Sequence, residues 1–173
     1  MMPHEKHRNS GPRELAVVLV TVSTSRYASR KQEGKSNDES GDVASREIGR
    51  LGHRLSRREL ISDEPAMIRS EVERFLGGTD DVIVFLGGTG VSRRDVTIET
   101  VRPFFEKELD GFGELLRRVS FRKVGAASVL TRATAGVASG KLILCLPGSP
   151  DAAATALRSF GKELPHILFV ARS

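Results

Sequence analysis

Residues 14–23, ELAVVLVTVS, are apolar at nearly every position and leave no face for water. Such a run reads as a strand of a parallel sheet covered on both sides. The period then changes. Residues 38–53 carry Val43, Ile48 and Leu51 at helical spacing. Residues 64–76 do the same with Met67, Ile68, Val72, Phe75 and Leu76, and Gly77-Gly78 ends that helix. A weaker strand is expected near 58–62 and a strongly apolar one over 81–86. Residues 95–107 predict a helix that Pro103 kinks or shortens, and 111–130 another with breaks at Gly113 and Gly125. Residues 133–140 and 141–146 read as two strands joined by a Ser-Gly turn. A last helix follows Pro150, with an interruption at Pro165. Residues 24–37 are polar, basic and without a period, and are expected as a mobile segment able to act as a lid.

Alternating strands and helices predict a three-layer α/β/α domain over 14–173, with a mostly parallel sheet carrying an antiparallel edge strand. Residues 1–13 are polar with Gly and Pro, and are expected as a flexible leader. In such sheets ligands bind beyond the carboxyl ends of the strands. Four turns fall there: Ser23-Thr24-Ser25, Ser62-Asp63-Glu64, residues 87–95, and residues 147–150. The fold should gather them on one edge.

Charge sharpens this picture. With 27 basic and 22 acidic residues the net charge is +5, which favours anionic ligands such as phosphates. Aromatics make up 5% with no Trp, and the basic residues are not interleaved with stacking rings, which argues against nucleic acid. No apolar run approaches the ~20 residues of a membrane span, and the N-terminus lacks an apolar signal core, so the cytoplasm is expected. The single cysteine, Cys145, excludes an internal disulfide; it sits in an apolar run and is expected to be buried.

Gly87-Gly88-Thr89-Gly90 offers close backbone N–H groups and a hydroxyl, enough for an anion nest or simply a tight turn. It has neither the P-loop lysine nor the last glycine of a dinucleotide fingerprint. Arg93 and Arg94 follow, as phosphate contacts or solvated surface. Asp95 fits two readings: a carboxylate of the site, or the partner of Ser92 in a capping box. Asp63 is likewise a site carboxylate or the N-cap of the helix beginning near Pro65. Together they would suit Mg²⁺, which takes one or two carboxylates plus substrate phosphates. Ser149 and Pro150 read as a helix start whose free N–H groups face the same edge. His4, His7, His53 and His166 show no ligand spacing and no pairing with a nucleophile. Any reaction here should use a substrate that is already nucleophilic, such as a phosphate anion.

Residues 82–95, then VTIE at 96–99, GFGE at 111–114, LTRATAG at 130–136 and LPGSP at 146–150, taken in order, resemble the MoaB/MogA family of molybdenum-cofactor biosynthesis. The resemblance spans about residues 14–160. It implies a molybdopterin adenylyltransferase: the terminal phosphate of molybdopterin attacks the α-phosphate of ATP with Mg²⁺, giving adenylylated molybdopterin and pyrophosphate. It further implies Asp63 and Asp95 as catalytic residues and metal ligands, and Gly87, Gly88, Thr89 and Gly90 as the nucleotide loop. Ser23, Glu114, Thr131, Pro147, Gly148 and Ser149 complete the binding residues it implies, with the Thr131 hydroxyl available to the pterin. Thr24 stands where relatives often have Asp or Asn. A homo-oligomer, trimeric or hexameric, and contact with other cofactor-biosynthesis proteins are also implied. The alternative is a non-catalytic molybdopterin carrier of the same fold. Such members tend to lose the acid at Asp63 and the arginines before Asp95; this chain keeps both.

Overall fold

The computed structural model describes residues 11–34 and 36–173. Most of the expected leader, with His4 and His7, lies outside them, as does Lys35 in the segment 24–37. The strands are β1 (Ala16–Val22), β2 (Arg54–Ile61), β3 (Val82–Leu86), β4 (Lys107–Glu108), β5 (Thr134–Ala138) and β6 (Lys141–Leu146). They form one sheet in the order β2-β1-β3-β6-β5-β4. The first four are mutually parallel, β5 runs antiparallel to β6, and the two-residue β4 pairs antiparallel with β5.

Helices cover both faces, making the three layers. Because strand side chains alternate, Val17 and Leu19 of β1 enter one core while Val18, Val20 and Val22 enter the other. The first core is closed by α2 (Glu39–Arg50), α5 (Asp110–Val124), α6 (Pro150–Phe160) and α7 (Leu164–Ala171). The second is closed by α3 (Pro65–Leu76) and α4 (Thr97–Val101). Cys145 is fully buried in the second core, where desolvation pushes its thiol pKa up and leaves it inert. Among the described residues no helix is long and apolar enough to cross a membrane.

Several elements differ from the pattern-based expectation. Residues 24–37 are not a loop: α1 (Thr24–Glu33) occupies most of them. None of its residues is buried, so it carries no hydrophobic period to read. It is held by its ends instead. Ser23 caps the start, Gly34 closes the end with a φ of 70°, and Arg30 and Lys31 lie in the last turn, where the dipole favours cations. β2 starts earlier than expected because its ladder to β1 already runs from Arg54, opposite Ala16; its apolar pattern is masked by arginines committed to ion pairs, Arg57 with Glu59 and Glu71, Arg58 with Asp38 and Asp42. The helix expected over 95–107 is only α4 followed by a 3₁₀ turn, Arg102–Phe104, that contains Pro103. Gly113 does not break α5. It is glycine because a Cβ there would stand 2.7 Å from the Ala133 carbonyl oxygen. The C-terminal interruption precedes Pro165, which sits in the first turn of α7.

One buried carboxylate makes stability depend on pH. Asp38, the N-cap of α2, accepts hydrogen bonds from Thr21 Oγ1 and Arg58 Nη2, both at 2.8 Å, and from the Gly41 N–H at 3.1 Å. Burial alone would raise its pKa; the bonds from Arg58, Thr21 and Gly41 outweigh it and hold the carboxyl below its ordinary 3.8. A depressed folded value stabilises fully above the unfolded pKa and is lost as the pH falls through the folded one. Asp38→Asn is therefore expected to cost about 2 kcal/mol at pH 7, lowering the thermal midpoint by about 4–8 °C for a chain of this size. The two curves should converge as the pH falls below 3.8 and through the depressed folded value. Midpoints that stay parallel from pH 7 to 2 would contradict this.

Candidate active site

β1 and β3 are neighbours, yet the chain leaves them in opposite senses: from β1 through α1 and α2 out to β2, from β3 through α4 towards β6. That divergence opens a crevice at their carboxyl ends. A cavity of about 590 Å³ lies there, within the usual range for small-molecule sites. All four turns contribute to its lining: Ser23 and Ser25, Asp63, Gly87 to Gly90 with Asp95, and Pro147 to Ser149. Thr131 lines it too.

Glycine is what allows the β3 turn to fit. Gly87 and Gly88 take φ of 101° and 63°, conformations side chains resist. A Cβ on Gly87 would lie 2.5 Å from the Val22 carbonyl oxygen, and one on Gly148 would lie 3.0 Å from the Gly87 Cα. Buried Thr97 locks the turn from behind: its Oγ1 donates to the Gly87 carbonyl and its N–H to the Gly88 carbonyl, both at 2.9 Å.

Neither aspartate caps the helix that follows it. Glu64 takes the N-cap of α3 and makes no side-chain cap bond. Asp63 reaches instead to the start of α1: Oδ2 accepts from the Thr24 N–H at 3.1 Å and the Thr24 hydroxyl at 3.0 Å. Its Oδ1 lies 3.2 Å from the point a Gly88 Cβ would occupy. Asp95 Oδ2 accepts from the Ser92 N–H at 2.9 Å and sits 2.8 Å from the Cβ point of Gly90. This has capping-box spacing, but α4 starts only at Thr97, with Val96 as its cap. The bond closes a loop rather than a helix end. Burial would raise the Asp95 pKa; hydrogen bonds from Ser92 and Gly90 and the nearby Arg132 charge outweigh it and keep the carboxyl below its ordinary value. It is ionised at neutral pH.

Two carboxylates thus stand over the two ends of one glycine turn, each fixed through one oxygen. No cluster of three metal-binding side chains exists among the described residues. Hard oxygen donors in this number suit Mg²⁺ completed by substrate phosphates, not a closed protein cage.

The rest of the cavity carries basic side chains and two helix N-termini. α1 and α6 begin on its lining, with Ser23 Oγ accepting from the Arg26 N–H at 3.5 Å and Ser149 Oγ from the Ala152 N–H at 3.2 Å. Their N-termini favour anions. Lys123 and Arg132 also line it, and the sequence pattern does not single them out. Lys123 Nζ donates to Thr155 Oγ1 at 2.7 Å and pairs with Asp151 at 2.9 Å. Arg132 Nη1 donates to the Gly90 carbonyl at 2.6 Å and its other arm pairs with Glu99. Arg132 lies inside the LTRATAG stretch, whereas Lys123 sits among the other basic residues of α5 and carries no separate signal. Glu114 lies outside the lining: α5 turns Phe112 and Leu116 into the core, so position 114 faces solvent. Arg93 and Arg94 are exposed and also lie outside it.

An open α/β sheet with a crevice at its switch point, entered by two helix N-termini and two carboxylates, is the arrangement of a ligand-binding α/β domain and suits an anionic ligand. The domain family described as "Probable molybdopterin binding domain" matches residues 18–166, and the chain belongs to it, within the MoaB/MogA group. It is 39% identical over 157 residues to a "Probable molybdopterin adenylyltransferase" of Methanocaldococcus jannaschii, covering 90% of this chain and 93% of that one. It is 37% identical to a "Molybdopterin adenylyltransferase" of Pyrococcus furiosus, over 97% and 98% of the two chains. The crystal structure of the tungsten cofactor synthesizing protein MoaB from Pyrococcus furiosus superposes with a TM-score of 0.83 at 36% identity, covering 94% of this chain and 99% of that one.

Proposed function

We propose that this chain is a molybdopterin adenylyltransferase that acts in the cytoplasm, in synthesis of a molybdenum or tungsten cofactor. It uses Mg²⁺–ATP and releases pyrophosphate. The observation that carries this reading is the pair Asp63 and Asp95 over the two ends of the Gly88-Thr89-Gly90 turn, in a cavity that two helix N-termini enter. Relatives named for the same reaction support it.

Among the described residues the cavity lining holds no histidine and no cysteine. The attacking group is then the substrate's own phosphate, and the chain's part is positioning and charge neutralisation. The N–H groups of the glycine turn and of the α1 and α6 starts hold phosphate oxygens. Lys123 and Arg132 offset their charge. Asp63 and Asp95 would hold Mg²⁺, which supplies polarisation of phosphoryl oxygens. Thr24 and Ser92 fix those carboxylates before substrate arrives. The Thr131 hydroxyl is available to the pterin.

A homo-oligomer belongs to the same reading. Leu115, Phe121, Val124, Val129 and Leu130 are exposed along α5 and the 3₁₀ turn after it, Gly125–Leu130, and such apolar surface favours self-association. Light scattering is expected to give a trimer or a multiple of it. The reaction itself is tested by single turnover with molybdopterin, ATP and Mg²⁺, scored for adenylylated molybdopterin and pyrophosphate. Molybdopterin bound with no product formed would make the chain a carrier instead.

A further inference from the structure

A buried polar network ends in the active cavity without being part of its turns. Asp38 lies under α1 at 8% exposure. Its Oδ2 is held by Thr21 of β1 and Arg58 of β2, and Arg58 Nη1 is itself anchored on Asp42 at 2.6 Å. Its Oδ1 accepts from the Gly41 N–H at 3.1 Å and the Ser40 hydroxyl at 3.3 Å. Ser40 Oγ, fully buried, in turn accepts from Arg26 Nη1 at 3.0 Å, and the same nitrogen lies 3.7 Å from Asp38 Oδ1. One arm of Arg26 is therefore tied down. The side chain is still 33% exposed and lines the cavity, in the first turn of α1.

A guanidinium has five N–H donors in a fixed fork. With Nη1 spent on Ser40, the remaining donors of Arg26 can meet an acceptor in the cavity. The same nitrogen makes a long ion pair with Asp38, at 3.7 Å, and the Ser40 hydroxyl between them fixes its direction. The network spans β1, β2 and α2, so the guanidinium is tied to the core of the fold although its own helix, α1, buries nothing.

We infer that Arg26 binds a substrate phosphate in this cavity and that Asp38, acting through Ser40, is its positioning residue. The source of the phosphate rests on the adenylyltransferase reading; binding of the anion does not. The test therefore starts with pyrophosphate titrated calorimetrically into the whole chain. Arg26→Gln is expected to weaken binding about tenfold or more, as loss of a charge-assisted bond requires. Arg26→Lys should recover part of that, since the charge stays but the fork is lost. Ser40→Ala removes only the spacer hydroxyl and should weaken pyrophosphate about threefold, with a thermal midpoint near that of the wild type. Steady-state assays then separate the sources. A rise in KM for ATP alone assigns the nucleotide phosphate; a rise for molybdopterin alone assigns the pterin's.

Unchanged pyrophosphate affinity in Arg26→Gln would overturn the inference. Loss in Arg26→Gln with none in either Ser40→Ala or Asp38→Asn would overturn the positioning role. Wild-type chain that binds pyrophosphate through Arg26 yet forms no adenylylated molybdopterin would defeat the functional reading and leave this one standing.

Discussion

Asp95→Asn is expected to lower single-turnover adenylylation by about two to three orders of magnitude while the chain stays folded. The estimate follows from removing one ligand of a cation that stabilises transferring phosphoryl charge by several kcal/mol, at about 1.4 kcal/mol per tenfold in rate. Asparagine keeps the size of the side chain, and its amide oxygen can still accept from the Ser92 N–H that now closes the loop. What it loses is the negative charge, which hydrogen bonds from Ser92 and Gly90 and the Arg132 charge maintain at neutral pH. Asp63→Asn should behave alike, because an amide oxygen can still meet the Thr24 hydroxyl and N–H. Both variants should need more Mg²⁺ for half-maximal rate, and their thermal midpoints should stay close to the wild type. Full activity in either folded variant would reduce that aspartate to a loop fastener. Collapse of the midpoint in both would make the rate loss uninformative about charge, and Mg²⁺-dependent ATP affinity would then decide.

The layers of this fold were legible because they follow from hydrophobic period. β1, β3 and β6 are buried on both faces, so their residues read as unbroken apolar runs. α3 buries Ile68, Val72 and Phe75 on one stripe, which sets its period. α1 was not legible, because it buries nothing and is made by Ser23, Gly34 and a favourable last turn. β2 was legible only in its final residues, since its charges answer to partners in α2 and α3 that sequence spacing cannot pair. The same limit applies at the crevice. Turns at carboxyl ends of strands can be placed from topology, so the glycines, Asp63 and Asp95 were within reach. The ties that orient them were not: Thr24 to Asp63 spans 39 positions and Arg132 to Gly90 spans 42. For Asp63 and Asp95, local helix grammar offered a competing use that only the observed partners removed.

Gly87→Ala is expected to cost about 3 kcal/mol, which lowers the thermal midpoint by about 6–12 °C for a chain of this length. Two terms contribute. The backbone φ of 101° is one that a side chain strongly resists, and the new Cβ would stand 2.5 Å from the Val22 carbonyl oxygen. That oxygen belongs to the central strand β1 and cannot swing aside as a flexible side chain would. Relief must come from moving the turn, which also presses on Gly148 across the crevice. The glycine turn then shifts relative to Asp63 and Asp95, and a misplacement of about 1 Å in a positioning site is worth about 100-fold in rate. Gly111→Ala provides the control. Gly111 is exposed in the first turn of α5, with nothing within 4 Å of its Cβ point. Alanine there should be neutral or stabilise by up to about 1 kcal/mol through helix propensity. Because the two substitutions add the same methyl group, their difference reports the backbone strain and close packing at Gly87 together, set against the helix propensity gained at Gly111. Equal midpoints and equal rates would mean that these turns yield without cost, and that the glycines are not what holds the crevice in shape.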